Sequence, residues 1–328
     1  MTIDLQAQPA PDESSAAVYQ PPPISHLENV VYLVGHPIAH SSSPKLHDAI
    51  SKSCGIRYAQ CLAETTNLPS FLEYIRASHP LVPRLLGTGV TMPHKVSVLE
   101  HLDHLTPEAK AIGAVNTIYF KGQEWWGTNT DTIGIRDAFR LNLSDEDLER
   151  CKGRPGLVVG GGGTCRTAIY TLQRMMGCGK VYIVNRDAGE VEAVLKACGN
   201  AKGKGDVIHV SSLEEARSLD SPGLVVSAIP DFTPSTPSER LVRDILQVLL
   251  VEGKEEGVDG ALLEMCYHPS PDTQITRLAG QCGWKVIAGL EAMMAQGLEQ
   301  AKLWTGIQVD ERLRREAREA IMSKSDSD

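Results

Sequence analysis

"GLVVGGGGTCRTAIYTLQ", residues 156–173, decides how this chain folds. Leu157, Val158 and Val159 form a short apolar, β-branched run, four glycines follow, and the sequence then turns to helix-forming residues. That order reads as a buried strand, a tight turn and a helix. Bare main chain at Gly160, Gly162 and Gly163, with Thr164 next in line, can approach a pyrophosphate at the positive end of the helix dipole. A plain tight loop would also use glycines. What separates the readings is the second strand, "KVYIVNRD" (180–187), which places Asp187 27 residues after Gly160, near the ribose-reading position. The segment therefore predicts a dinucleotide-binding βαβ unit. Arg186 can meet a 2′-phosphate, whereas Asp187 and Glu190 repel one and accept from a free 2′-hydroxyl, so the balance favours NAD over NADP.

Working outward, "DVIHV" (206–210) and "GLVVSAIP" (223–230) continue the series downstream. Upstream, "NVVYLV" (29–34), "RYAQCL" (57–62) and "RLLGTGV" (84–90) alternate with helical stretches from Pro44, near 67–76 and around 94–102. "AVNTIYFKGQEWWG" (114–127) reads as a hairpin. This alternation marks parallel α/β architecture. A length of 328 residues suits two domains, with a boundary in "CKGRPG" (151–156). Residues 1–27, rich in Pro, Gln, Ser and Ala, predict a disordered lead-in, and "SKSDSD" (323–328) a frayed end. "DERLRREAREAIM" (310–322) reads as a charged, solvated helix with little apolar face.

Composition removes several classes. A formal net charge of −9 argues against a nucleic-acid binder. No Lys or Arg precedes Lys45, as a secretory or mitochondrial leader would require, and no apolar run is long enough to cross a bilayer, so a cytoplasmic location is expected. The eight cysteines are scattered singly with no C-x-x-C, and the histidines form no H-E-x-x-H arrangement, so neither a disulfide framework nor a metal site is expected.

Three polar positions call for explanation. Lys95 in "GTGVTMPHKVSVLEHLD" (87–103) follows a Gly-Thr-Gly turn and a Met-Pro step, although most lysines are simply solvated. Ser43 before Pro44 reads as a helix cap, which also sets the hydroxyls of Ser41 and Ser43 at a positive helix end where a carboxylate can dock. Asp131 in "TNTDTIG" reads as a helix start, with Asn129 or Thr130 free to do the capping.

Seven ordered stretches are similar to one family's motifs: "GHPIAHSSSPKLHDAI" (35–50), "GTGVTMPHK" (87–95), "AIGAVNT" (111–117), "GTNTDTIG" (127–134), "GGGGTCRTA" (160–168), "EMCYHPSPDT" (264–273) and "GLEAMMAQG" (289–297). Over roughly residues 29–306 the chain resembles the shikimate/quinate dehydrogenase family. Gly89, where biosynthetic members usually carry Asn, brings it closer to the bifunctional quinate/shikimate branch. The resemblance implies an α/β fold in which an N-terminal substrate domain (28–140, completed by 289–322) and a Rossmann-like, doubly wound nucleotide-binding domain (153–288) flank a cleft. It implies NAD-dependent oxidation of quinate to 3-dehydroquinate, with shikimate also accepted. The partner is then a small cyclohexane or cyclohexene carboxylate, with no nucleic acid, membrane or metal, and the assembly a monomer or homodimer.

Alcohol oxidation needs an acceptor for the hydroxyl proton. The resemblance pairs Lys95 with Asp131 for that task, as one coupled unit. It gives Ser41 and Ser43 to the carboxylate, and Thr91, Asn116, Gln296 and Tyr267 to the ring substituents. Gly160, Gly162, Gly163, Thr164, Asn185, Arg186, Asp187 and Gly289 fall to the cofactor. Asn185-Arg186-Asp187 replaces the usual N-R-T, which disfavours NADP; Glu264 replaces an Asp, and one residue is inserted in "HPSPDT". The alternatives are an NADP-dependent shikimate dehydrogenase of aromatic biosynthesis, a catalytically silent ligand sensor, or a two-domain dehydrogenase acting on a folate or amino acid.

Overall fold

In the computed structural model, residues 18–78, 84–198, 206–252, 260–268 and 270–322 are described, and they form two sheets of six strands each. The first unit comprises β1 (Asn29–Gly35), α1 (Ser43–Cys54), β2 (Tyr58–Glu64), α2 (Leu68–Ser78), β3 (Arg84–Val90), β4 (His104–Leu105), α3 (Pro107–Ile112), β5 (Thr117–Lys121) and β6 (Glu124–Thr128). Its strand order is β2-β1-β3-β5-β6-β4, parallel at β1, β2 and β3 and antiparallel from β3 through β6. On β1, Val30, Tyr32 and Val34 enter the core beneath α2, while Val31 turns to the opposite core.

Two helices, α4 (Asp131–Asn142) and α5 (Asp145–Cys151), lead to the second unit. There follow β7 (Gly156–Val159), α6 (Gly163–Arg174), β8 (Val181–Val184), α7 (Ala188–Ala197), β9 (Val207–His209), α8 (Leu213–Arg217), β10 (Leu224–Ser227), α9 (Pro237–Gln247), β11 (Ala261–Glu264), α10 (Gln274–Gln281) and β12 (Lys285–Ala288). The order β12-β11-β10-β7-β8-β9 is parallel throughout, with cores on both faces. Read from β9, this is the doubly wound sequence whose topological switch lies between β7 and β10, the place where such sheets bind nucleotides. The chain then returns through α11 (Gly289–Thr305) and α12 (Glu311–Met322).

Helix α11 is held where glycines remove side chains. A Cβ on Gly134 of α4 would stand 2.6 Å from Ala292 O of α11, and Gly87 of β3 leaves the space that Trp304 fills. Trp304 Nε1 donates to Ile118 O at 2.9 Å, so the indole keeps its polar atom satisfied while buried. Ala292 sits in the core of the second unit with Ile135 and Phe139 of α4, whereas Met294 and Leu298 pack with α1 and α12.

Several expectations need correction. The stretch 94–102 forms only a 3₁₀ turn, Ser97–His101, because Lys95 O is taken by Val115 N at 2.7 Å rather than by a helical neighbour. Strands β11 and β12 are additional: "ALLE" has helix-forming residues, and burial within a parallel sheet overrides that preference. The lead-in expected over 1–27 shortens, since Tyr19 is buried with its ring 5.3 Å from that of Phe71 and 5.4 Å from that of Tyr74. Its remainder, 1–17, and the expected frayed end, 323–328, lie outside the described residues. The charged C-terminal helix does have an apolar stripe: Leu313, Ala317 and Ile321, four apart, pack with Leu46 and Ile50. No helix among the described residues is long and apolar enough to cross a membrane.

Candidate active site

A cleft of about 590 Å³ lies between the two sheets, at the C-terminal ends of β1, β3, β7, β10 and β11, with α11 along one wall. The loop after β1 and the start of α1 bring Ser41 and Ser43 to it. The turn after β3 brings Thr91 and Lys95, and the ends of the hairpin bring Asn116 and Asp131. Gln296 and Gly289 come from α11, Thr164 from the first turn of α6, and Tyr267 from the loop after β11.

Lys95 Nζ meets Asp131 Oδ2 at 2.5 Å, and the two side chains retain only 19% and 14% of their exposure. An ion pair this shielded is screened far less than a surface pair. Asp131 Oδ1 accepts from Asn116 Nδ2 at 2.8 Å, leaving Oδ2 for the ammonium. Asn116 is itself fixed, because its Oδ1 accepts from Thr130 N at 2.7 Å. Its amide is thus occupied in holding Asp131. Asp131 opens α4 at its first turn; Thr130 occupies the cap position without a side-chain cap bond, and Asn129 Nδ2 donates instead to Ala114 O at 3.0 Å.

The serine cap falls one residue earlier than expected. Ser42 is at the cap of α1 without a side-chain bond, Ser43 begins the helix, and Ser41 Oγ accepts from Ser43 N at 3.3 Å. An uncapped N-terminus beside two hydroxyls leaves the partial positive charge of α1 toward the cleft.

Just before Thr164, Gly162 occupies the cap position of α6 with no side-chain cap, and a Cβ on Gly162 or Gly163 would meet nothing within 4 Å. Gly160 holds φ +127°, a conformation that favours glycine, and its Cβ would crowd Ala228 O at 3.1 Å across the β7/β10 switch. This open, uncapped turn has the form that a dinucleotide pyrophosphate requires. A Cβ on Gly289 would approach Glu264 O at 2.6 Å, so glycine there permits α11 to lie close to β11.

Of the expected cofactor residues, Thr164 and Gly289 line the cleft, Gly160, Gly162 and Gly163 lie in the turn just before Thr164 and outside the lining, and Asn185, Arg186 and Asp187 stand apart at the end of β8. Asn185 Nδ2 donates to Glu190 Oε2 at 2.7 Å, and Asp187 Oδ1 caps α7 by accepting from Gly189 N and Glu190 N at 2.8 and 3.1 Å. The Arg186 guanidinium is paired with Glu239 and lies 5.7 Å from the Phe232 ring.

Burial dominates the titration of two groups beside the cleft, Glu264 and Tyr267. Glu264, 1% exposed, is pushed up to about 6 by burial, against the pull of Cys266 N–H and the Thr273 hydroxyl. The Tyr267 phenol is raised by burial first and then by nearby Cys266 and Asp131. The substitution of Glu for Asp at 264 is therefore taken up inside the second unit, where Oε2 accepts from Thr273 Oγ1 at 2.9 Å.

Some residues that line the cleft lie outside the sequence motifs. Gln300 lines the cleft one turn beyond Gln296, and its position four residues on along the same helix was the available signal. His40 and His268, one from each unit, stack across the cleft with ring centroids 5.0 Å apart and planes 11° apart, a contact between segments far apart in sequence that no local motif announces.

Two α/β units, a glycine turn at the sheet's switch point and a shielded ammonium–carboxylate couple in the cleft between them define a pyridine-nucleotide-dependent alcohol dehydrogenase. Residues 33–118 match the family described as the shikimate dehydrogenase substrate binding domain. The chain is 43% identical over 295 residues to the quinate dehydrogenase of Emericella nidulans, covering 85% of this chain and 88% of that one. It is 34% identical to the pentafunctional AROM polypeptide of Scheffersomyces stipitis, spanning 85% of this chain but 17% of that much longer one. A solved shikimate 5-dehydrogenase from Thermus thermophilus, in complex with NADP(H) and shikimate, superposes with a TM-score of 0.68 at 29% identity, over 89% of this chain and 99% of that one. The chain belongs to the shikimate/quinate dehydrogenase family of oxidoreductases.

Proposed function

We propose that this chain oxidises quinate to 3-dehydroquinate with NAD and accepts shikimate at the same site. The observation that carries the reading is the Lys95–Asp131 couple, 2.5 Å apart within the shared cleft. The reacting hydroxyl places its oxygen against this pair and passes its proton to it as the C–H bond breaks. The proton belongs to the couple rather than to one member. Asn116 holds Oδ1 of Asp131, so the carboxylate is oriented before substrate arrives and the step needs little reorganisation. Ser41, Ser43 and the uncapped start of α1 receive the substrate carboxylate. Thr91, Gln296 and Tyr267 serve the ring hydroxyls, where each polar group left unpaired would cost on the order of 1–3 kcal/mol.

The nicotinamide nucleotide supplies the hydride acceptor when bound. Gly160, Gly162, Gly163 and Thr164 would hold its pyrophosphate, Asn185, Arg186 and Asp187 would face its adenosine ribose, and Gly289 would leave room for it at the start of α11. Preference for NAD is supported by the engagement of Arg186 with Glu239 and by the carboxylates of Asp187 and Glu190 beside it, which disfavour a 2′-phosphate. Preference for quinate, whose ring carbon bearing the carboxylate is tetrahedral and hydroxylated, is supported by Gly89. A Cβ there would lie 3.2 Å from Leu33 Cδ1 and 3.5 Å from Gln300 Nε2, two residues that line the cleft, so the bare glycine lets both keep their places in its wall.

Steady-state kcat/KM for quinate and shikimate, each with NAD and NADP, tests this directly. The expected result is highest efficiency for quinate with NAD. A strong NADP preference overturns the cofactor assignment, and turnover of neither acid overturns the substrate class.

A further inference from the structure

Behind the couple runs a chain of buried polar side chains that its immediate chemistry does not use. His47 on α1 is fully buried, with its ring 5.1 Å from that of Trp304. Its Nδ1 is 3.0 Å from Tyr58 OH and its Nε2 is 3.4 Å from Gln300 Oε1. Gln300 Nε2 is 3.0 Å from Thr117 Oγ1 and 3.3 Å from Asn116 O. Thr117 Oγ1 is 2.8 Å from Asn116 Oδ1, and Asn116 Nδ2 reaches Asp131 Oδ1 at 2.8 Å.

Chemistry fixes the direction of every link. The carbonyl of Asn116 can only accept, so the amide nitrogen of Gln300 faces it and Oε1 faces His47. An amide oxygen can only accept as well, so His47 Nε2 carries the proton, and Nδ1 of the neutral ring accepts from Tyr58 OH. At the far end, Thr130 N can only donate, which turns Asn116 Oδ1 toward it and Nδ2 toward the carboxylate. Burial holds His47 neutral, with its titration lowered to about 4. Donation therefore runs one way, from Tyr58 through His47, Gln300, Thr117 and Asn116 to Asp131. Both ends of the Gln300 amide are occupied by protein, so its place in the cleft wall offers a ligand no free polar atom.

We infer that His47 and Gln300 are positioning residues for the proton-accepting couple: by fixing Thr117 and Asn116 they hold Asp131 with Oδ2 toward Lys95. This rests on the assignment of Lys95 and Asp131 to proton transfer. It adds to the Thr130 contact a second determinant of the carboxylate's orientation, on α1 and α11, remote in sequence from Asn116 and Asp131.

The test is steady-state kinetics of full-length Gln300→Leu, His47→Phe and Thr117→Val, with melting temperature followed in parallel. Thr117→Val preserves shape and so keeps the test open if a larger change prevents folding. Each variant should lower kcat by about 10- to 100-fold, the loss expected when a catalytic group is slightly misplaced, with KM for the acid within about twofold. His47→Gln, which restores a donor to Gln300 Oε1, should recover most of the loss. In an Asp131→Asn background, Gln300→Leu should cost nothing further, because both changes act through one group. A folded variant with unchanged kcat, or one altered in KM alone, overturns the inference. An inactive wild-type protein would instead refute the proposed reaction, so the two failures are distinguishable.

Discussion

At the scale of single residues, the molecule separates charges that act from charges that hold structure. Lys95 and Asp131 face the cleft, whereas Arg186 and Glu239 bind each other. Lys95→Ala should lower kcat by about 10²–10⁴-fold, the usual worth of a positioned acid or base, while calorimetry still detects binding of the acid. Glu239→Gln should weaken the hold on Arg186 and raise kcat/KM for NADP by about tenfold, equivalent to about 1.4 kcal/mol; kinetics with both cofactors would show it. His47 gives a pH signature in stability. Its folded value, about 4, lies below the ordinary 6.5, so its contribution is whole above 6.5 and is lost as pH falls toward 4. The loss amounts to about 3 kcal/mol at most, and His47→Phe should flatten that limb of a denaturation-midpoint series. Glu264 acts in the opposite sense. With its folded value raised to about 6 from 4.5, it favours the fold below 4.5 and costs stability as pH rises through 6, and Glu264→Gln should remove that cost.

At the scale of elements, α4 and α11 approach each other main chain to main chain, and Gly134 sets the depth of that contact. A Cβ at Gly134 would meet the Ala292 carbonyl oxygen at 2.6 Å, and main chain inside a helix yields less readily than a flexible side chain. Gly134→Ala should therefore cost about 2–3 kcal/mol and lower the melting temperature, although alanine is the better helix former. The same scale shows where sequence reading works and where it stops. Strands β1, β7 and β10 were legible because each carries a valine-rich run next to a glycine. The 94–102 stretch misled because its helix-like composition is overruled by one hydrogen bond from Val115 N to Lys95 O, formed between segments 20 residues apart. Helix α12 misled in the other direction: charge dominates its composition, yet three residues on one stripe suffice to dock it.

At the scale of the whole molecule, the α/β class was legible, as were the positions of Lys95, Asp131, Ser41 and Ser43 in turns and helix starts, because each motif is local. The His40–His268 stack and the line from His47 to Asp131 were not, because each joins segments that meet only after both sheets are assembled. The wall of the cleft offers a prediction at this scale. Gly89→Asn, by pressing on Leu33 and Gln300 from behind, should shift the ratio of kcat/KM for shikimate over quinate upward by about tenfold, readable from initial rates with NAD.

Helix α11 starts against the Glu264 carbonyl in the second unit and ends with Trp304 lodged under β3 of the first. A rod rooted in both halves, with α4 laid alongside it, acts as a crossbeam. That layout predicts a cleft that widens by rotation about this shared axis rather than by sliding, with the couple at the head of α4 beside the axis and so among the least displaced residues.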